Sequence, residues 1–357
     1  MQKIDSRIIS LIRFPMIVGI VMIHSRLPYD VGGTAGFPVY SYLVERGFIG
    51  TLTRLCVPMF FMISGYLFFV KADGFGMAAY RAKLKSRARS ILSPYLLYCT
   101  LAVCLFAVMA LVRPDMQSGS TPPLQVWDVL TVASMYWDMG DNLPIVPQFW
   151  FLRNLMVVVV LTPVVYWLVK KVRWLFVVAL ALLWTANVWQ FGIPGTMCLF
   201  WFSAGAYLGI NKMGVYSVAR KLRPIGWLYP LLAVADVATK EAGWNVYLHN
   251  VGIMSGVVLA WYAVGRLVER WPEAAASPLL LASTFFVFSM HEPYSGKVKA
   301  VFTDVLPGLS ANHAVADVQM VAYYFLWVAV WVAILVGLFA IIRKVSPRIA
   351  AVLSGGR

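Results

Sequence analysis

Arg13 and His24 stand out as a pair whose residue types and spacing could do chemistry. They lie in one apolar run, eleven residues apart. On a helix, eleven steps of about 100° return to within about 20° of the starting direction, so both side chains share one face. The rise between them is about 16 Å, half the thickness of a bilayer's hydrocarbon core. A guanidinium can hold an anionic group. An imidazole, with an ordinary pKa of about 6.5, can take the proton of an attacking alcohol. Each also has a purely structural reading: Arg13 can snorkel toward headgroups, and His24 can serve as an interfacial hydrogen-bond donor.

Three further places carry charge inside apolar runs, at an insertion cost of about 2.5–3.5 kcal/mol per charge. They are Arg54, Arg153 and the neighbours His291 and Glu292. Arg153 follows Trp150 at the start of an apolar run, where an interfacial position and a site role fit equally. His291 beside Glu292 fits a charge-stabilised relay or a satisfied polar pair at a helix end. Phe60-Phe61-Met62-Ile63-Ser64-Gly65 puts two small residues together, which suits close helix packing as well as a site. Arg81, Lys83, Lys85, Arg87 and Arg89 crowd one short loop, opposed by Asp73. Such a run sets orientation and binds anionic lipid; it would also serve a polyanionic, nucleotide-bearing ligand, for which Arg is the better fork. No His/Cys cluster has metal-ligand spacing, so no metal is expected.

These residues need membrane helices to position them. Of 357 residues, 61% are hydrophobic and only 13% charged, and the mean hydropathy is +0.76. That composition excludes an ordinary soluble globule. The expected fold is all-α: a polytopic membrane bundle of about ten transmembrane helices, with residues 1–357 as one membrane-embedded domain. The predicted helices cover 8–28, 48–70, 91–112, 149–169, 174–190, 196–211, 225–239, 245–265, 278–295 and 319–342. Basic residues concentrate in alternate connections, including the 71–89 loop, Lys170–Arg173, Lys212–Arg223, Arg266–Arg270 and the C-terminal end. Acidic residues such as Asp30, Asp115, Asp138, Asp141 and Asp317 favour the opposite loops. By the positive-inside rule both termini then lie in the cytosol. This distribution explains the net charge of +15 without nucleic acid as a partner. The apolar run after Lys3 and Arg7 resembles a signal peptide, but Arg13 interrupts it, so it is read as a retained helix. Cys56, Cys99, Cys104 and Cys198 all fall in apolar segments and read as packing residues. Two long outer loops, 113–148 and 296–318, remain. The first is rich in aromatics (Trp127, Tyr136, Trp137) that suit interfacial anchoring or stacking on sugar rings.

Taken in this order and topology, the motifs resemble membrane acyltransferase family 3, the acyl-CoA-dependent O-acyltransferases of bacterial surface glycans. The resemblance covers essentially the whole chain. It rests on Arg13-x10-His24, on Phe-Phe-x-x-Ser-Gly at 60–65, and on the Arg-rich loop with Arg87 and Arg89 leading to Pro94. A Trp-Phe-Leu start to the fourth helix and His291-x-Pro293 complete it. The resemblance implies transfer of an acyl group, most commonly acetyl, from cytosolic acyl-CoA to a sugar hydroxyl at the bacterial cytoplasmic (inner) membrane. His24 and Arg13 are then the catalytic candidates, and Arg13, Arg87, Arg89 and Ser64 the donor-binding ones. Arg153, Trp150, His291 and Glu292 are assigned to the acceptor, a glycan or lipid-linked saccharide; membrane lipids are the other partner. Succinyl is an open choice for the acyl group.

The competing reading is a proton-coupled secondary transporter or glycan flippase, since buried Arg, His and Glu also mark ion pathways. Gly- and Pro-broken helices occur there too. The absence of a visible two-half repeat tells against it. A membrane subunit without chemistry is a third reading.

Overall fold

The computed structural model describes residues 3–26, 36–71, 74–112, 122–190, 192–292 and 294–356. Asp30, Asp73, Asp115 and Pro293 lie outside the described residues, so their expected places are not assessed. Among the described residues the protein is all-helical, with no strand. In chain order the main elements are α1 (Lys3–Ile23), α2 (Tyr40–Phe69) and α3 (Met77–Val112), then α4 (Val129–Trp137), α5 (Trp150–Val160), α6 (Thr162–Lys171), α7 (Trp174–Thr185) and α8 (Thr196–Ile210). They continue with α9 (Val215–Lys221), α10 (Tyr229–Ala238), α11 (Asn245–Arg270), α12 (Pro278–Met290), α13 (Ser295–Val305), α14 (His313–Val345) and α15 (Pro347–Leu353).

Every expected span has a helix, but not every helix is long enough to cross a bilayer. Five are: α1, α2, α3, α11 and α14; α5 and α6 make a sixth only as a pair bent by 62°. Pro163 at the start of α6 removes an amide hydrogen there, which suits a break. At about 1.5 Å per residue, the 12-residue α7, 15-residue α8 and 13-residue α12 fall short of a core of about 30 Å. The apolar count along the sequence cannot see where hydrogen bonding stops.

Boundaries also move. α1 ends at Ile23, so His24 sits just past its last turn and not inside it. α2 begins at Tyr40 with a π-helical stretch to Leu52, a winding that often accompanies functional sites. Its start is held by a buried carboxylate of α14: Asp317 accepts from the amides of Val39 (2.7 Å) and Tyr40 (2.8 Å). Asp5 of α1 does the same for α9, accepting from Val215 N (3.2 Å) and Tyr216 N (3.0 Å), and also from the Tyr66 hydroxyl (2.9 Å). Asp317 thus caps a helix from inside the fold; it is not a solvated loop charge. Its replacement by alanine leaves two donors unmatched at a site only 3% exposed. The expected cost is about 1–3 kcal/mol for each buried donor left unpaired, read as a lower unfolding midpoint of detergent-purified protein.

Between α2 and α8 the backbones nearly touch. A Cβ placed on Gly65 would fall on the carbonyl oxygen of Phe202, and one on Gly205 on that of Met62. Lipid tails offer no hydrophobic drive for helix association, so close backbone approach at small residues holds such pairs together. Large apolar side chains on the outer faces, among them Val108, Val160, Leu182, Leu231 and Ile341, stay exposed, as lipid-facing surface requires.

Both long loops contain helices. α4 lies in the first, started by Asp128, whose side chain accepts from Thr131 N at 2.7 Å; α13 lies in the second. All four cysteines are free. Among the described residues, no cluster of three His, Cys, Asp or Glu side chains gathers as a metal site would need.

Candidate active site

Arg13, Ile17 and Ile20 form one stripe of α1, and Thr284 and Phe288 one stripe of α12. Together with Phe60, Ser64 and Leu67 of α2 and Arg87 and Ile91 of α3, they line a cavity of about 240 Å³. α5 closes it through Phe151, Leu152 and Leu155. Continuing each stripe by one helical step leads to a histidine: His24 beyond Ile20, and His291 beyond Phe288. The two imidazoles meet there, with ring centroids 5.2 Å apart and planes inclined by 54°.

Both histidines follow a helix's last turn, where carbonyls lack intrahelical partners, and other helices supply those partners. Tyr324 donates to Met22 O at 2.8 Å beside His24. Gln148 donates to Phe288 O, Ser289 O and Glu292 O at 3.3, 3.2 and 2.5 Å, and Trp331 to His291 O at 3.4 Å. The His291 ring is 1% exposed, and its Nδ1 lies 2.7 Å from Phe288 O. A carbonyl only accepts, so Nδ1 carries the hydrogen; Nε2 is buried without a partner among the described residues. His24 is half-buried and feels the positive charges of Arg54 and Lys299. Glu292 is turned to a different task, accepting from Ser295 Oγ at 2.9 Å.

No carboxylate pairs with Arg13 or Arg87 among the described residues. Two guanidinium groups without acid partners in one cavity make a strong anion site. The structure therefore brings together Arg13, Ser64 and Arg87. It places Arg89 outside that lining and exposed.

A second cavity, about 510 Å³, lies past the other end of the same helices: Ile23 from α1, Arg54, Val57 and Pro58 from α2, Trp150, Arg153 and Asn154 from α5. Arg153 is 1% exposed and committed to the chain itself. It donates to the carbonyls of Trp137 and Asn142, clamping the turn after α4 at the cavity's edge. Trp150 lines the cavity beside it.

The acyltransferase domain family matches residues 7–342 of the sequence. The chain belongs to this acyltransferase family. A curated relative of the acyltransferase is the succinoglycan biosynthesis protein ExoH of Rhizobium meliloti (strain 1021). The two are 28% identical over 365 residues, covering 98% of this chain and 92% of ExoH. No solved structure matches the acyltransferase.

Sequence reasoning missed one group in the acyltransferase's second cavity. His249 lines it, with Nδ1 2.9 Å from Asp236 Oδ2. Asp236, 1% exposed, also accepts from Thr51 (2.7 Å), Lys240 (2.8 Å) and Asn245 (2.9 Å). The rule that flags charges in apolar runs applies to Asp236 as much as to Arg54, and Lys240 four residues on is its helical ion-pair partner.

Proposed function

We propose that this protein is a membrane O-acyltransferase that moves an acyl group, acetyl by default, from acyl-CoA to a sugar hydroxyl of a surface or exported glycan. Membership of the acyltransferase family and the succinoglycan relative support glycan acyl transfer. One observation carries the finer reading: a cavity along α1 and α12 is lined by Arg13 and Arg87, unpaired with acids among the described residues, and the ends of the same two helices bring two histidines into contact. Arg13 and Arg87 hold the phosphates of the donor, and Ser64 lies on the same wall. The thioester reaches His24, which takes the proton of the acceptor hydroxyl as that oxygen attacks the acyl carbon; CoA leaves as the thiol. His291, fixed by its bond to Phe288 O, positions the His24 ring. The acceptor enters from the second cavity, beside Trp150.

In this reading residues 1–357 form one membrane domain of the bacterial cytoplasmic membrane, crossing it about ten times with both ends in the cytosol. The alternation of basic loops supports that orientation, with the bent α5–α6 pair and the short helices α7, α8, α10 and α12 each counted as one crossing. Protein-dependent consumption of acetyl-CoA or succinyl-CoA that requires a glycan acceptor tests the function. Mass spectrometry of surface polysaccharide with and without the gene identifies the product. Consumption without acceptor dependence would remove the transferase reading.

The two loop arginines separate donor binding from topology. Loss of one charge-assisted contact costs about 1.5–3 kcal/mol, or roughly 10- to 100-fold in affinity. Arg87→Ala is therefore expected to raise the apparent KM for acyl-CoA by roughly that factor. Arg89→Ala, outside the cavity, is expected to leave it within about twofold, the scale of an exposed charge. Equal effects of both would place the donor elsewhere.

A further inference from the structure

Arg54 is the charge in an apolar run that donor binding and proton transfer leave unused. It sits where α2 tightens into the short 3-10 turn Thr53–Leu55. Its Nε donates to Ile49 O at 3.0 Å, so the residue is held by its own helix. Its two Nη groups make no hydrogen bond among the described residues, and no carboxylate there pairs with it. Its charge acts on His24 and stands against that of Arg26. The residue is exposed overall and lines the second cavity, so its charge is open to a ligand there. Such groups otherwise pair with acids or backbone carbonyls, as Arg153 does close by.

The cavity around Arg54 has the size of a small-molecule site, commonly about 300–1,000 Å³, and the lining that suits a sugar. Trp150 offers a ring face; Asp141, Asn142 and Asn250 add polar groups to the lining. His249 lines the same cavity, its Nδ1 held 2.9 Å from the Asp236 carboxylate. Asp141 is the cavity's carboxylate, and it already accepts from Leu143 N at 3.0 Å. Among the described residues of the lining, Arg54 is thus the cation whose Nη groups make no hydrogen bond. The Arg13 cavity ends at Ile20 of α1 and the Arg54 cavity starts at Ile23; His24 follows Ile23 in the chain and is in neither lining.

We propose that Arg54 is a specificity residue that selects a substrate carboxylate held across His24 from the donor's phosphates. This rests on the acyltransferase reading above. A planar guanidinium with both Nη groups open matches a carboxylate in two parallel hydrogen bonds. That carboxylate has two sources: an acidic sugar of the acceptor, or the far end of a dicarboxylic acyl group. The chemistry at Arg54 is the same for both.

The test is ligand-induced thermal stabilisation of the detergent-purified full chain, titrated at constant ionic strength. Methyl β-glucuronide is compared with methyl β-glucoside, and succinyl-CoA with acetyl-CoA, in wild type, Arg54→Gln and Arg54→Lys. In one pair the anionic member is expected to bind wild type about tenfold tighter or more, the scale of one charge-assisted contact. Arg54→Gln should bring that pair to near equality, and Arg54→Lys should retain part of the preference. A glucuronide preference names the acceptor as source; a succinyl preference names the acyl group. No preference in wild type, or one that survives Arg54→Gln, overturns the proposal. If Arg54→Gln fails to fold, Arg54→Lys decides, because an unchanged preference without the fork also overturns it. Acyl-CoA consumption is read separately: a charge preference without any turnover would keep the Arg54 site and remove the transferase reading.

Discussion

His24→Ala is expected to lower acyl transfer by about 10²–10⁴-fold, the usual contribution of a positioned general base, with membrane insertion and elution profile unchanged. Its ring lies just beyond α1's last turn, and the carbonyl of Met22 there is already satisfied by Tyr324. Truncation therefore removes the imidazole without loosening the helix end. His291→Ala sharpens the test. The His291 ring is fully enclosed and spends its Nδ1 hydrogen on Phe288 O, so its loss should act through the orientation of His24 and cost less. A larger loss for His291→Ala than for His24→Ala would reverse the two roles. Near-normal product from His24→Ala would remove the mechanism. A radiolabelled acyl-protein trapped without acceptor, and absent in His24→Ala, would show that the acyl group rests on the imidazole before transfer.

The largest effect on folding is expected at the α2–α8 crossing. Gly65→Ala and Gly205→Ala each put a methyl carbon onto a backbone carbonyl of the facing helix. Neither helix can relieve this by turning a side chain, so the pair must separate. Overpacking costs about 1–3 kcal/mol and sometimes more; a backbone-on-backbone clash belongs at the top of that range or above it. Little monodisperse protein should survive extraction of either variant. Gly337→Ala in α14, where an added Cβ has nothing within 4 Å, should behave as wild type. Ser64→Ala should fold normally and affect donor binding alone, since Ser64 lines the Arg13 cavity. Normal yield of Gly205→Ala would show that the crossing is looser than described.

This contrast shows what the sequence could carry. Ser64 and Gly65 read equally as packing or as site; neighbours on a helix point about 100° apart, and the fold gives one to each task. The pairing of Arg13 with His24 was read from one helix's period; Arg13 does line the cavity, whereas His24 falls just past that helix's end. The meeting of His24 with His291 was not legible, since it depends on how α1 and α12 pack. Arg87 and Arg89 stand about 200° apart on a helical path, so both could not face one cavity; which one does is set by the packing of α3. Asp236 and His249 were overlooked for a different reason. Their network joins α2, α10 and α11, and the residues look unremarkable until those helices come together.

The guanidinium groups of Arg13 and Arg87, unpaired with acids among the described residues, bear on how the protein fares with and without a bound anion. An occupant that balances them stabilises only the folded form, by RT ln(1 + [L]/Kd), and leaves the unfolded chain unaffected. Without such an occupant, two cationic side chains share the lining of one small cavity uncompensated. With the proposed acyl donor as that occupant, cellular levels of the protein would rise and fall with its supply, before any control of its synthesis came into play.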